Sequence, residues 1–200
     1  MDNWYNAVGN TDYVDWAFRA AAAADPNAQL FLNDFETENS IKQEYLVDVV
    51  RRLVNRGVPI DGIGHQFHIN LLSDVDDLLG AIDRIETEFP ALINHVTELD
   101  VSFYNDPGSC WESGTNCDPE RTEAELPALF STQATLLRDL LNGLENRNSV
   151  ESVTFWGIMD QDSWLNEAPI VRNNYPLLFD RDGEPKPAAF AIADDNYQIP

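Results

Sequence analysis

With 35 acidic against 12 basic residues among 200, the chain carries a net charge of -23, which repels nucleic acid and anionic membranes and favours neutral or cationic ligands such as a polysaccharide. A hydrophobic content of 44% with 10% aromatics excludes a disordered chain, and no apolar run is long enough to span a bilayer as a helix. The length supports one sizeable core, either a single domain or part of a larger one.

Met1-Asp-Asn-Trp4 lacks the basic and apolar regions of a signal peptide, so the start gives no address. From Asp12 to Ala24 the apolar residues Tyr13, Ala17, Ala20, Ala21 and Ala24 recur at helical spacing, with Thr11 or Asp12 as N-cap. Asp25-Pro26-Asn27 stops that helix. A strand follows over Ala28 to Asp34, then a helix from Ile41 to Arg56 capped by Ser40 and closed by Gly57. Ile60 to Ile69 reads as the second strand. Asp74 to Phe89 is the next helix, its first acids facing the positive end of the dipole, and Pro90 ends it.

The third strand is His95-Val-Thr-Glu-Leu-Asp-Val-Ser102. Side chains alternate along a strand, so Glu98 and Asp100 share one face while Val96, Leu99 and Val101 supply packing. After it, Asn105-Asp-Pro-Gly-Ser-Cys-Trp-Glu-Ser-Gly-Thr-Asn-Cys117 is a turn-rich loop holding Cys110 and Cys117. A disulfide between them is sterically feasible and would mark an oxidising compartment; two reduced thiols are the alternative. Two cysteines without nearby histidines do not make a four-ligand zinc site, and no metal or other cofactor is expected. Thr122 to Leu144 reads as a long helix in which Pro127 marks a bend or a displaced start. Val150 to Met159 is the fourth strand, Asp162 to Asp182 mostly loop, and Pro187 to Asp194 a last helix.

Strand-helix alternation of this kind argues for a parallel sheet with helices outside it. Four strands fall between Ala28 and Met159 in about 130 residues, so eight at that density need roughly 260, close to the size of an eight-stranded α/β barrel. The chain therefore reads as part of such a barrel. Its polar and aromatic residues collect where barrel active sites lie, at the carboxyl ends of the strands: Asn33 and Asp34, Gln66 and His68, Glu98 and Asp100, Trp156 and Asp160. Consecutive parallel units sit side by side, which sets His68 next to the two acids, where an imidazole can keep a carboxylate ionised and fixed in rotamer. A carboxylate nucleophile requires that arrangement. Trp156 and Trp164 read as walls of a sugar subsite, with an ordinary core role as the alternative for Trp156.

At this point the chain resembles glycoside hydrolase family 10, the retaining endo-β-1,4-xylanases. His95-Val-Thr-Glu-Leu-Asp-Val101 is similar to the family's nucleophile strand, and Asp61-Gly-Ile-Gly-His-Gln-Phe-His-Ile69 resembles its sixth strand. Phe155-Trp-Gly-Ile-Met-Asp-Gln-Asp-Ser-Trp164 resembles the eighth strand and its loop, Leu30-Phe-Leu-Asn-Asp34 the fifth, and Pro176 to Pro187 the run into the final helix. The resemblance implies a partial (β/α)8 barrel, strands five to eight, as one domain over residues 1-200, acting on xylan or xylo-oligosaccharides outside the cell. It makes Glu98 the nucleophile, with His68 and Asp100 as its partners, Gln66, Trp156 and Trp164 lining the glycone side, and Asn33 on the floor.

Three departures carry consequences. Phe35 stands where the family commonly has tyrosine, and Glu36 where it often has asparagine, which alters the leaving-group side; the long cysteine loop adds a wall beside the cleft. The family's acid/base glutamate falls upstream of Met1, since Trp4-Tyr5 through Phe18 resembles the segment after it. The chain alone is therefore expected to hydrolyse xylan weakly or not at all. A non-catalytic xylan-binding fragment and a β-glucan glycosidase are the competing readings. Open sheet edges on a partial barrel invite pairing with another chain.

Overall fold

The computed structural model describes residues 7–200; Trp4 and Tyr5 lie outside them. Four parallel strand positions alternate with helices, in the order α1 (Asp12–Ala24), β1 (Phe31–Asp34), α2 (Ser40–Asn55), β2 (Gly62–His65), β3 (His68–Asn70), α3 (Val75–Glu88), β4 (Ile93–Ser102), α4 (Gly108–Ser113), α5 (Leu126–Glu145), β5 (Val150–Phe155) and α6 (Pro187–Ala193). β1 pairs with β2, β2 and β3 both pair with β4, and β5 takes the other side of β4, every pairing parallel. The ten-residue β4 is the central strand. β1, β3 and β5 each pair with a single strand among the described residues.

Several boundaries differ from the sequence expectation for local reasons. The strand expected from Ala28 begins at Phe31, because the Asp61 carboxylate draws in the Leu30 amide at 2.7 Å. The strand expected over Ile60 to Ile69 is broken: Phe67 takes a left-handed φ of 53°, uncommon for a bulky residue, and splits it into β2 and β3. Asn39, not Ser40, caps α2, its side chain accepting from the amides of Ile41 and Lys42, while Gly57 leaves the helix at φ 59° as expected. Thr11 is the N-cap residue of α1, as expected, but its side chain accepts no capping hydrogen bond, and Asn10 Oδ1 accepts the Asp12 amide instead. Pro127 marks a displaced start, since α5 opens at Leu126 after Glu125 has folded back onto Thr122. The last strand ends at Phe155 rather than Met159, and the cysteine loop contains a short helix, α4, that its turn-forming residues conceal.

Helices cover the sheet through an apolar stripe each, as a 3.6-residue period requires. Leu46, Val47 and Val50 of α2 pack with Ile63 and with Ile85 and Phe89. Leu78 and Ile82 of α3 join Leu99, Val101 and the α5 residues Leu137 and Leu140 in the main core, which Ala188 of α6 closes. Phe18 of α1 meets Leu53 and Val58 in a smaller cluster. This burial fixes the strands and leaves their carboxyl ends to carry chemistry.

Candidate active site

β4 is the organising element of the site. Glu98 and Asp100 share one face of it, and β3 runs alongside with His68 in register with Asp100. His68 Nε2 lies 3.2 Å from Glu98 Oε2, and its Nδ1 lies 3.1 Å from Asp100 Oδ2. From the other side, Asn33 Nδ2 donates to Glu98 Oε1 at 2.8 Å. The Thr97 hydroxyl donates to Asn33 Oδ1 at 2.7 Å, which orients the amide so that its NH₂ faces the carboxylate. Trp164 Nε1 donates to Asp100 Oδ2 at 2.8 Å. The result is one connected run: Thr97, Asn33, Glu98, His68, Asp100, Trp164.

Close backbone approach makes this run possible. Gly64 lies between Asn33 and β4, and a Cβ there would sit 2.5 Å from Asn33 Oδ1 and 3.0 Å from Thr97 Cγ2. The kink at Phe67 preserves what alternation alone predicts: Phe67 is buried at 1% exposure while Gln66 and His68 both face the cleft. Backbone pairing continues across the kink, with the Glu98 amide donating to Gln66 O at 3.1 Å.

The charges balance unevenly. Burial pushes the His68 imidazole toward its neutral form, but hydrogen bonding and attraction from Asp100, joined by Glu98, outweigh it and hold the pKa above its ordinary value. The ring thus stands between two carboxylates that favour its charged form, one of them, Asp100, fully buried. Below this layer His65 is of the opposite kind. It is buried, its pKa falls to about 4 through desolvation, and it pairs with Thr37 Oγ1 at 2.7 Å and Asn94 Oδ1 at 3.0 Å.

A cleft of about 650 Å³ opens over these strand ends. Of the residues singled out from sequence, Gln66, His68, Asp100 and Trp164 line it, and Glu98 and Asn33 adjoin it through their hydrogen bonds. Trp156 is elsewhere: it leaves β5 at 48% exposure, beyond the residues that line the cleft. Phe35 and Glu36 form part of the rim; Lys42 lies 3.1 Å over the Phe35 ring and 3.0 Å from Asp34 Oδ1. Glu36 holds a φ of 51°, a conformation non-glycine residues seldom adopt.

The cysteines form a disulfide, with Cα atoms 4.9 Å apart. Their sulfurs and an Asp106 carboxylate oxygen lie within 4.8 Å of one another, but the disulfide uses both thiols and Asp106 pairs with Arg172. Arg172 also donates to Asp118 O at 2.6 Å and stacks 3.5 Å over the Tyr104 ring, which ties the cysteine loop to the segment following Trp164.

Sequence reasoning did not single out Thr97, Gly64, Arg172 or the buried Asp160–Lys186 pair. Glycine preceding a strand histidine was the only available sign of close approach, and nothing local reveals ion pairs between distant loops. In that last pair Lys186 Nζ meets both Asp160 oxygens, at 3.1 and 2.9 Å, and Tyr175 O at 2.7 Å. Burial lowers Lys186 to about 8 and raises Asp160. Asp160 Oδ1 accepts the Leu177 amide at 2.8 Å as well, so the pair clamps the loop after β5 onto the approach to α6.

The model of the family described as Glycosyl hydrolase family 10 matches residues 1–195. The chain belongs to this family. It is 38% identical over 194 residues to the thermostable celloxylanase of Thermoclostridium stercorarium, covering 96% of this chain and 47% of that relative. Xylanase B from Clostridium stercorarium F9 superimposes with a TM-score of 0.85 at 38% identity, covering 97% of this chain and 55% of that structure. A mutant xylanase A of P. fluorescens subsp. cellulosa, in complex with xylopentaose, gives 0.81 at 35% identity, covering 94% and 55%. This family-10 chain thus spans about half the length of these relatives, and its fold is a partial TIM barrel.

Proposed function

We propose that this chain carries the glycone side of a retaining endo-β-1,4-xylanase site, with Glu98 as nucleophile. The observation that carries the proposal is the fixing of Glu98 between Asn33 Nδ2 and His68 Nε2. A carboxylate held on both oxygens presents one rotamer to an anomeric carbon. Glu98 attacks that carbon, the bond to the leaving oxygen breaks with its electron pair going to that oxygen, and water later hydrolyses the glycosyl-enzyme. His68 and Asp100 position the nucleophile; Gln66 and Trp164, which line the cleft, form its sugar-binding walls. The xylanase names of the relatives and the xylopentaose complex of one of them support xylan as substrate.

No acid/base is assigned to this chain, so the test does not depend on one. General acid help is worth about 10²- to 10⁴-fold in glycoside cleavage, but a dinitrophenyl β-xylobioside has a leaving group that needs no protonation. The expected result is release of dinitrophenolate with a xylobiosyl adduct on Glu98, seen by mass spectrometry, and neither with Glu98→Gln. Binding of xylo-oligosaccharide without any adduct would leave a binding fragment in place of the nucleophile.

A second reading, action on β-glucan, is favoured by the name celloxylanase borne by one relative. The matching cellobioside separates the two, because xylose lacks the C6 hydroxymethyl group that a glucan cleft must hold. An extracellular setting is part of the proposal, supported by the Cys110–Cys117 disulfide.

A further inference from the structure

The geometry points to Trp111 as an additional xylose-stacking platform, set beside Trp164 and held there by the Cys110–Cys117 disulfide. This rests on the xylan reading and extends it to a residue of the cysteine loop. Trp111 lines the cleft at 48% exposure, and its ring lies 5.8 Å from that of Trp164 at an interplanar angle of 40°. Trp164 in turn lies edge-on to His68 at 5.1 Å. The aromatic surface therefore starts at the group that positions Glu98 and continues outward along the cleft.

An exposed indole that lines a cleft needs a reason, because large apolar side chains left in water are ordinarily scattered singly. Pyranose rings supply one: their C–H faces are apolar, their hydroxyls point outward, and a linear polymer repeats them, so two adjacent indoles suit two successive rings.

The platform is built to stay in place. α4 has six residues, too short to be stable alone. Cys110, fully buried, anchors it, Gly114 ends it in a left-handed turn, and Ser109 Oγ and Ser113 Oγ fasten both ends onto the turn at Thr115. The disulfide closes this unit directly next to Trp111. Reducing it releases the helix and with it the indole.

The test is calorimetry on the whole chain with xylobiose and xylopentaose. Trp111→Ala is expected to weaken xylopentaose about tenfold, the effect of stacking on the order of 60 Å² of apolar surface, with little change for xylobiose. Trp111→Phe should recover most of the loss, and a Cys110→Ser/Cys117→Ser variant should bind xylopentaose as Trp111→Ala does. Trp111 is exposed, so an unchanged melting temperature is expected to accompany its loss of affinity. If wild type binds xylopentaose and Trp111→Ala binds it equally well, the platform is refuted while the xylan reading stands. If wild type binds neither sugar, the xylan reading fails, and the platform falls with it.

Discussion

Asn33, at the end of β1, holds Oε1 of Glu98 through a 2.8 Å hydrogen bond across a sequence separation of 65 residues. Thr97 sets the amide's orientation, and Gly64 provides the space between them. Misplacing a nucleophile by an ångström costs on the order of 100-fold in rate. Asn33→Ala should therefore slow adduct formation by about 10- to 100-fold. Gly64→Ala, which touches neither substrate nor Glu98, should slow it comparably, because its methyl group must displace Asn33 or Thr97. Single-turnover rates with the activated xylobioside measure both; a Gly64→Ala protein labelled at the wild-type rate would show that the Asn33 contact is dispensable.

Trp164 combines two functions that one substitution separates. Its face lines the cleft, while Nε1 donates to the buried Asp100. Trp164→Phe keeps an aromatic face and deletes the donor. A buried carboxylate deprived of a hydrogen bond costs roughly 1–3 kcal/mol, and Asp100 would be left with His68 Nδ1 alone, at 3.1 Å from Oδ2, since its Oδ1 is buried without a partner. Urea denaturation should show a loss in that range together with slower labelling of Glu98. A variant as stable as wild type would mean that the indole N–H contributes nothing to holding Asp100.

The strand carrying Glu98 and Asp100 was legible because alternation places both on one face whatever the tertiary context, and the His68 neighbour followed from the order of parallel strands. The half-barrel count rested on the same regularity. The Phe67 break was hidden, since nothing about a phenylalanine announces a left-handed backbone. α4 was masked by Pro107, Gly108 and Gly114, residues that read as turns. Trp111, Arg172 and Lys186 act through partners far away in sequence, and a single chain read residue by residue has no means of joining them.

Lys186 and Asp160 form a pair at 4% and 0% exposure, and a buried pair behaves differently when halved than when replaced. Lys186→Met leaves the Asp160 carboxylate buried without its cation, for an expected loss of about 3–5 kcal/mol. Asp160→Asn combined with Lys186→Met removes the charge as well, while the asparagine oxygen still accepts the Leu177 amide. The double variant should therefore be more stable than Lys186→Met alone. Chemical denaturation of both decides it: a double variant less stable than the single would place the main role of the pair in something other than charge compensation.

His65 provides a pH dependence whose direction is fixed by its burial. Nε2 donates to Asn94 Oδ1 and Nδ1 accepts from the Thr37 hydroxyl, so the neutral ring satisfies both neighbours and a second proton has no acceptor. Burial lowers its pKa from 6.5 to about 4, with the Asn94 hydrogen bond opposing only in part. Between those values the unfolded chain binds a proton that the folded chain refuses. The stabilisation is complete above pH 6.5, declines as pH falls through the window, and about 3 kcal/mol is lost below the folded value. His68, whose pKa is raised, acts on the other side: its contribution is complete below 6.5 and is lost only as pH rises through its folded value, so it does not mask the acid effect. His65→Gln keeps one donor and one acceptor and does not titrate. Urea denaturation at pH 7 and at about pH 4.5 should show wild type losing roughly 2–3 kcal/mol more than His65→Gln; parallel losses in the two proteins would assign the acid sensitivity to other groups.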